Sequence, residues 1–111
     1  MLQVTRFDEA SPYDAKGHFA MTAMRLQGQG VSDLEDYWVG FSTFLPGGGA
    51  EKGAAPTGKV YVVLAGEITV TTQEGDTVLA KFDSCYIPPG TERSIINATN
   101  DPVQMLVFSP N

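Results

Sequence analysis

The sequence predicts an all-β jelly roll, and three observations carry that prediction. Glycine (12) and proline (7) are frequent and spread along the 111 residues rather than clustered. Between them lie short runs rich in Val, Ile, Thr, Tyr and Phe, the rhythm of a sandwich or barrel. No window keeps a 3.6-residue apolar period long enough for an amphipathic helix.

Each element follows from its own residues. Phe19 to Gln27 is the first pairing segment. Asp36 to Leu45, "DYWVGFSTFL", is the second, and Pro46 with three glycines is expected to end it. Lys59 to Leu64 is the third. Ala65-Gly66 then turns tightly into Glu67 to Thr72, and Glu74-Gly75 turns into Thr77 to Phe82. Ser84 to Ile87 stops at Pro88-Pro89-Gly90, because proline has no N–H to give to a ladder. Arg93 to Asn97 leads through "ATNDP" into Val103 to Phe108. These runs make about eight strands, which a double-sheet jelly roll accommodates with few open edges. Residues 1–18 are polar and turn-rich. They are expected to form an arm, across the surface or into a partner subunit, ahead of a barrel domain over 19–111.

Composition narrows the function. With 42% hydrophobic residues the chain can bury one core, hence one domain. Its net charge of -6 and only 7 scattered Lys and Arg argue against nucleic acid, which is bound through clustered cations. The opening "MLQVTRFDEA" is charged and mixed, unlike a secretory signal, and no apolar run approaches the ~20 residues of a membrane helix. A cytoplasmic protein with no membrane contact is expected. The single cysteine, Cys85, allows no internal disulfide, offers no metal-ligand spacing and reads as a buried structural thiol.

Two motifs are set aside. Gly53 to Lys59, "GAAPTGK", matches most of a phosphate-binding loop, but Val60 replaces the metal-binding Ser or Thr and a strand follows instead of a helix. Asn97-Ala98-Thr99 is a glycosylation sequon without a secretory signal to give it meaning. His18, the only histidine, reads as a surface residue; with the arm folded over a pocket it would be the one side chain whose ordinary pKa lies near neutrality. Tyr37 and Trp38 point to opposite faces of their strand, one into the core and the other toward a dimer interface or a stacked ligand. Met21, Met24 and Met105 read as core fillers.

Two stretches carry a family resemblance. "PGGGAEKGAAPTGKVYVVLAGEITV" (46–70) resembles the first cupin motif, and "FDSCYIPPGTERSIIN" (82–97) resembles the second. The chain is thus similar to the small single-domain cupins of the RmlC-like jelly-roll superfamily. The resemblance implies a double-stranded β-helix. Metal-binding cupins usually present His-x-His, then Glu, then a later His. Aligned on Gly47 and Gly66, those positions fall here on Gly53, Ala55, Lys59 and Arg93, with the terminal Asn97 kept. Gly and Ala have no donor, and protonated Lys and Arg have no lone pair to give, so no metal and no other cofactor is expected.

If the ligand positions point into the barrel as in the family, Lys59 and Arg93 face one another. Strand alternation adds Tyr61 and Val63 beside Lys59, and Ile95 and Asn97 beside Arg93. Arg93 then suits a carboxylate, which it can hold through two parallel hydrogen bonds. A partly desolvated Lys59 next to another cation has a lowered pKa and can act as acid, base or Schiff-base former, with Tyr61 as a proton donor. The candidate catalytic residues are therefore Lys59 and Tyr61, and the candidate binding residues Arg93, Asn97, Trp38 and Glu51. The expected ligand is a small anionic metabolite and the expected assembly a homodimer. Three readings follow: a metal-independent lyase or isomerase, a non-enzymatic binding module whose barrel is filled by Lys59 and Arg93 paired with Glu51, Glu67 or Glu92, and a metal cupin using Glu51 and His18.

Overall fold

The computed structural model describes residues 1–111. It has nine strands, β1 (Ser11–Pro12), β2 (His18–Gln27), β3 (Tyr37–Gly53), β4 (Lys59–Ala65), β5 (Ile68–Thr72), β6 (Gly75–Leu79), β7 (Ser84–Ile87), β8 (Arg93–Ile96) and β9 (Val103–Pro110). One short 3-10 turn, Phe7–Glu9, precedes them, and there is no α-helix. No helix is long and apolar enough to cross a membrane.

The strands form one antiparallel ladder in the order β6-β5-β8-β3-β9-β4-β7, with β2 and then β1 added on a branch from β3. This is a nearly closed jelly-roll barrel whose main path ends at β6 and β7, while the branch ends at the short β1. Inward residues alternate with outward ones along each strand, as the pleat requires. On β9, Val103, Met105 and Val107 are buried while Gln104 faces out. Phe44, Val63, Ile68 and Val103 are fully enclosed at the centre of the core. Burying each such side chain contributes roughly 1.5–3 kcal/mol.

The expected stop at Pro46 does not occur. β3 runs for 17 residues, from Tyr37 to Gly53. Its first half pairs with β9 (Tyr37↔Pro110 to Phe44↔Val103), and its second half pairs with β8 (Gly49↔Ile96 to Gly53↔Arg93). Pro46 falls in the stretch where the register against β2 shifts, so its missing N–H breaks no regular ladder. The three glycines make the corner. Gly47 adopts a positive φ of 81°. At Gly49 an added Cβ would lie 2.0 Å from the Ile95 carbonyl oxygen, so only a bare backbone allows β8 this close.

Two other expectations change. Ala65-Gly66 is a corner between sheets rather than a hairpin: β4 pairs with β7 and β9, whereas β5 pairs with β6 and β8. The hairpin from β5 to β6 turns at Gln73-Glu74, since Thr72 faces Gly75, and β6 ends at Leu79 instead of Phe82. The Asp83 carboxylate accepts a hydrogen bond from the Ala80 N–H at 2.9 Å, and Phe82 takes a φ of 72°, which turns the chain toward β7.

The arm lies on its own barrel. Ser11 and Pro12 pair with Arg25 and Met24, and the Phe7 ring meets the Phe41 ring edge-on at 5.0 Å. Met105 is in the core, and Met21 packs against it.

The glycine corner predicts a position-specific response. Gly49→Val is expected to cost roughly 3 kcal/mol or more, because backbone cannot yield as a side chain can. Gly53→Ala, whose Cβ would find its nearest neighbour at 3.9 Å, is expected to stay within about 0.5 kcal/mol of wild type. Urea denaturation of both variants checks this; equal effects at the two sites would contradict the tight corner.

Candidate functional site

Lys59 is the first residue of β4 and Arg93 the first of β8. Both long cations therefore start at strand mouths, and both reach the same space between the sheets. That space has two compartments. An inner one of about 170 Å³ is lined mainly by apolar groups, including Trp38, Phe44, Met105 and Val107. An outer one of about 360 Å³ opens beneath the loop between β3 and β4. His18, Lys59, Tyr61, Arg93 and Ile95 line both, so they form the boundary between them.

Alternation along β4 places Tyr61 on the same side as Lys59, as expected, and along β8 it places Ile95 beside Arg93. The Lys59 ammonium donates to the Ser109 hydroxyl at 2.9 Å and lies 5.4 Å from the centre of the Trp38 ring. The Arg93 guanidinium donates to the Gly53 carbonyl at 3.2 Å. Neither cation has a carboxylate partner, because the one ion pair in the structure joins Lys52 to Glu92 at 3.0 Å. Glu51 is exposed at the outer compartment, and Glu67 is exposed as well. The internal cross-links proposed for a filled barrel are thus not formed.

Burial, and then the charge of Arg93, lower the pKa of Lys59 from the ordinary lysine value. Burial raises the pKa of Tyr61 against the opposing charge of Arg93, so its phenol holds its proton at neutral pH. Burial likewise raises the pKa of Cys85, which is half-buried against the core rather than enclosed in it.

Asn97 does not join the site. It is fully buried, beyond the end of β8. Its amide donates to the carbonyls of Phe44 at 3.1 Å and Asp101 at 2.8 Å, and its carbonyl oxygen accepts from the N–H and hydroxyl of Thr99. It ties the β8–β9 turn to β3, and nothing is left to offer a ligand or a glycosyltransferase. Trp38 does reach the cavity, while Tyr37 points outward.

Three groups at the site come from less legible places. Tyr13, from the arm, lines the inner compartment and meets Trp38 edge-on at 5.9 Å. The Arg25 guanidinium lies 3.9 Å from the centre of the Tyr13 ring and 4.7 Å from that of Trp38. His18 lies partly buried at the boundary rather than on the open surface, with its Nδ1 2.8 Å from the Lys16 carbonyl. A carbonyl only accepts, so Nδ1 carries the proton and Nε2 is the basic nitrogen of the neutral ring. Ser109 had a readable signal: it is the polar member of the inward series Val103, Met105, Val107, Ser109 on β9.

The residues present do not fit a divalent metal. Gly53 and Ala55 bring no donor atoms, Lys59 and Arg93 bring positive charge, and no three His, Cys, Asp or Glu side chains cluster anywhere in the structure. That also leaves His18 and Glu51 without a third ligand.

The desolvated lysine predicts a pH dependence. With its folded pKa below 10.5, Lys59 sheds a proton on folding between the two values, so folded stability rises with pH across that window. Denaturation of wild type and Lys59→Met at a series of pH values isolates this contribution, since Tyr13 and Tyr61 are common to both. Wild type is expected to gain on the variant as pH climbs from neutral toward about 10.5. A constant difference would mean that the folded state solvates the amine as well as water does.

Comparison with known proteins agrees with this architecture. The family described as the cupin domain matches residues 40–109. A protein named beta-D-galactosidase Rv1717, from Mycobacterium tuberculosis, is 41% identical over 106 residues, covering 96% of this chain and 91% of its own. The polyketide cyclase RemF from Streptomyces resistomycificus superposes with a TM-score of 0.87 at 14% identity, over 99% of this chain and 80% of that one. A cupin-superfamily sugar phosphate isomerase from Silicibacter pomeroyi superposes with a TM-score of 0.75 at 17% identity, over 92% and 68%. By fold, motif positions and family match, this chain belongs to the cupin family.

Proposed function

We propose that this cupin works without a metal on a small anionic metabolite carrying a carboxylate and a carbonyl, as a lyase or isomerase using side-chain acid–base chemistry. One observation carries the reading. In a chain of net charge -6, the outer compartment gathers Lys16, Lys52, Lys59 and Arg93 against a single carboxylate, Glu51. Lys52 is neutralised by Glu92, but Lys59 and Arg93 are left facing the cavity without a counterion. Withdrawing two such charges from water is unfavourable unless an anion arrives to meet them.

The roles follow from geometry. Arg93 anchors the carboxylate, and Trp38 with its apolar neighbours takes the rest of the ligand. Tyr61, held protonated, is a proton donor to a developing oxyanion. Lys59, with its lowered proton affinity, exchanges protons near neutral pH more readily than an ordinary lysine.

The Mycobacterium tuberculosis relative supports a second reading, glycoside hydrolysis. That chemistry ordinarily uses two carboxyl groups, ~5–9.5 Å apart across the scissile bond. The cavity here carries one, at its rim, and the acid–base reading is therefore preferred.

A thermal-shift screen of small carboxylates and sugar acids against wild type and Arg93→Ala separates these ideas. At about 100 times its dissociation constant a true ligand stabilises wild type by about 2.7 kcal/mol, several degrees in Tm. The Arg93→Ala variant is expected to lose most of that shift. A ligand that stabilises both proteins equally does not use the anchor. Hydrolysis of a nitrophenyl β-galactoside that survives Arg93→Ala and disappears in Glu51→Gln would favour the glycosidase instead.

A further inference from the structure

We propose that Lys59 is a covalent nucleophile, forming a Schiff base with the carbonyl of an acid whose carboxylate is held by Arg93. The proposal rests on the anion-pocket reading and deepens it by naming the substrate class: 2-oxo acids, or sugar acids whose open-chain form exposes an aldehyde.

Three observations converge. The first is the environment of the amine. Its hydrogen-bonded protein partner is the Ser109 hydroxyl, and that hydroxyl itself donates to the Pro110 carbonyl at 3.1 Å. Ser109 can therefore accept one N–H from Lys59 while the lone pair of the neutral amine stays unengaged. No carboxylate fixes the group as an ammonium. An amine desolvated beside another cation is the arrangement that activates lysine toward carbonyls. The second is placement. Lys59 and Arg93 both stand on the boundary of the two compartments, so one small molecule can meet both. The third is the supply of proton-transfer groups. His18, with Nε2 basic, and Tyr61, with its phenol protonated, line the same boundary.

The chemistry balances without a further reactant. The neutral amine adds to the carbonyl carbon, forming the C–N bond as the carbonyl π electrons move to oxygen, which takes a proton from the Tyr61 phenol. A second proton, shifted from the nitrogen, lets that oxygen leave as water, and the C=N bond that remains keeps the other N–H proton. The iminium draws electrons from the adjacent carbon, so its C–H proton can pass to His18 Nε2 and leave an enamine. Reprotonation of carbon and addition of water return the carbonyl compound and the free amine.

The other three lysines, Lys16, Lys52 and Lys81, are exposed and serve as internal controls. Wild-type protein is incubated with pyruvate or D-galacturonate, reduced with borohydride and mapped by peptide mass spectrometry. Lactate and D-gluconate, acids without a carbonyl, are run beside them, and melting temperatures are recorded for all four. The expected result is an adduct concentrated on Lys59, absent with lactate and gluconate, and lost in Lys59→Arg, whose guanidinium keeps the charge but cannot form the C=N bond. Stabilisation by the carbonyl acids with no preferential adduct on Lys59 overturns the Schiff base and leaves the anion pocket standing. Failure of all four acids to stabilise or label the protein overturns both.

Discussion

The site depends on one continuous strand serving two sheets. β3 hydrogen-bonds to β9 along its first half and to β8 along its second, and the change happens at Gly47 to Gly49. With side chains at that corner, the backbones of β2 and β8 could not come so close to it. The corner brings β8 against the sheet that holds β4 and β9. Arg93, Lys59 and Ser109 come from those three strands, far apart in sequence, and share one cavity for that reason.

Electrostatics then sets the character of the cavity. An acidic chain concentrates positive charge in one concave place and leaves it largely uncompensated. Folding bears a cost for this, visible as the depressed pKa of Lys59. Part of the cost is offset by the Ser109 hydroxyl and the Trp38 face. The aromatic wall is itself braced by Arg25, which lies against both Tyr13 and Trp38. The arm thus contributes to the site through Tyr13 and His18, instead of merely covering the barrel. Where the family ordinarily places metal ligands, this chain presents two cations and two residues without donor atoms. The same frame therefore presents positive charge to the cavity.

Much of this was legible from residues alone. The resemblance to the cupin motifs, aligned on Gly47, Gly66 and Gly90, pointed to Lys59 and Arg93 as the two inward cations. Tyr61 followed from strand alternation, which left open whether Tyr37 or Trp38 faces inward. The errors are equally physical. The glycine triplet reads as a terminator by local propensity, yet it is a corner, since glycine serves wherever backbones must approach closely. Asn97 has the right parity for the cavity face, but it lies one residue beyond β8, where the chain has begun to turn and its amide is claimed by neighbouring backbone. Tyr13 lies in a stretch with no periodic pattern, and its position depends on the pairing of β1 with β2.

By itself, then, the sequence determined the class of fold, most strand positions and the identity of the inward cations. The first two depend on local properties, turn residues and a period of two, and the third on the resemblance of two stretches to the cupin motifs. Only the tertiary structure decided that Lys59 and Arg93 meet no carboxylate, that Ser109 and Trp38 flank the amine, and that Asn97 belongs to the scaffold. Those are facts about groups distant in the chain. Hydrogen bonds and charges act through space, and the distances that govern them exist only once the two sheets have closed on each other.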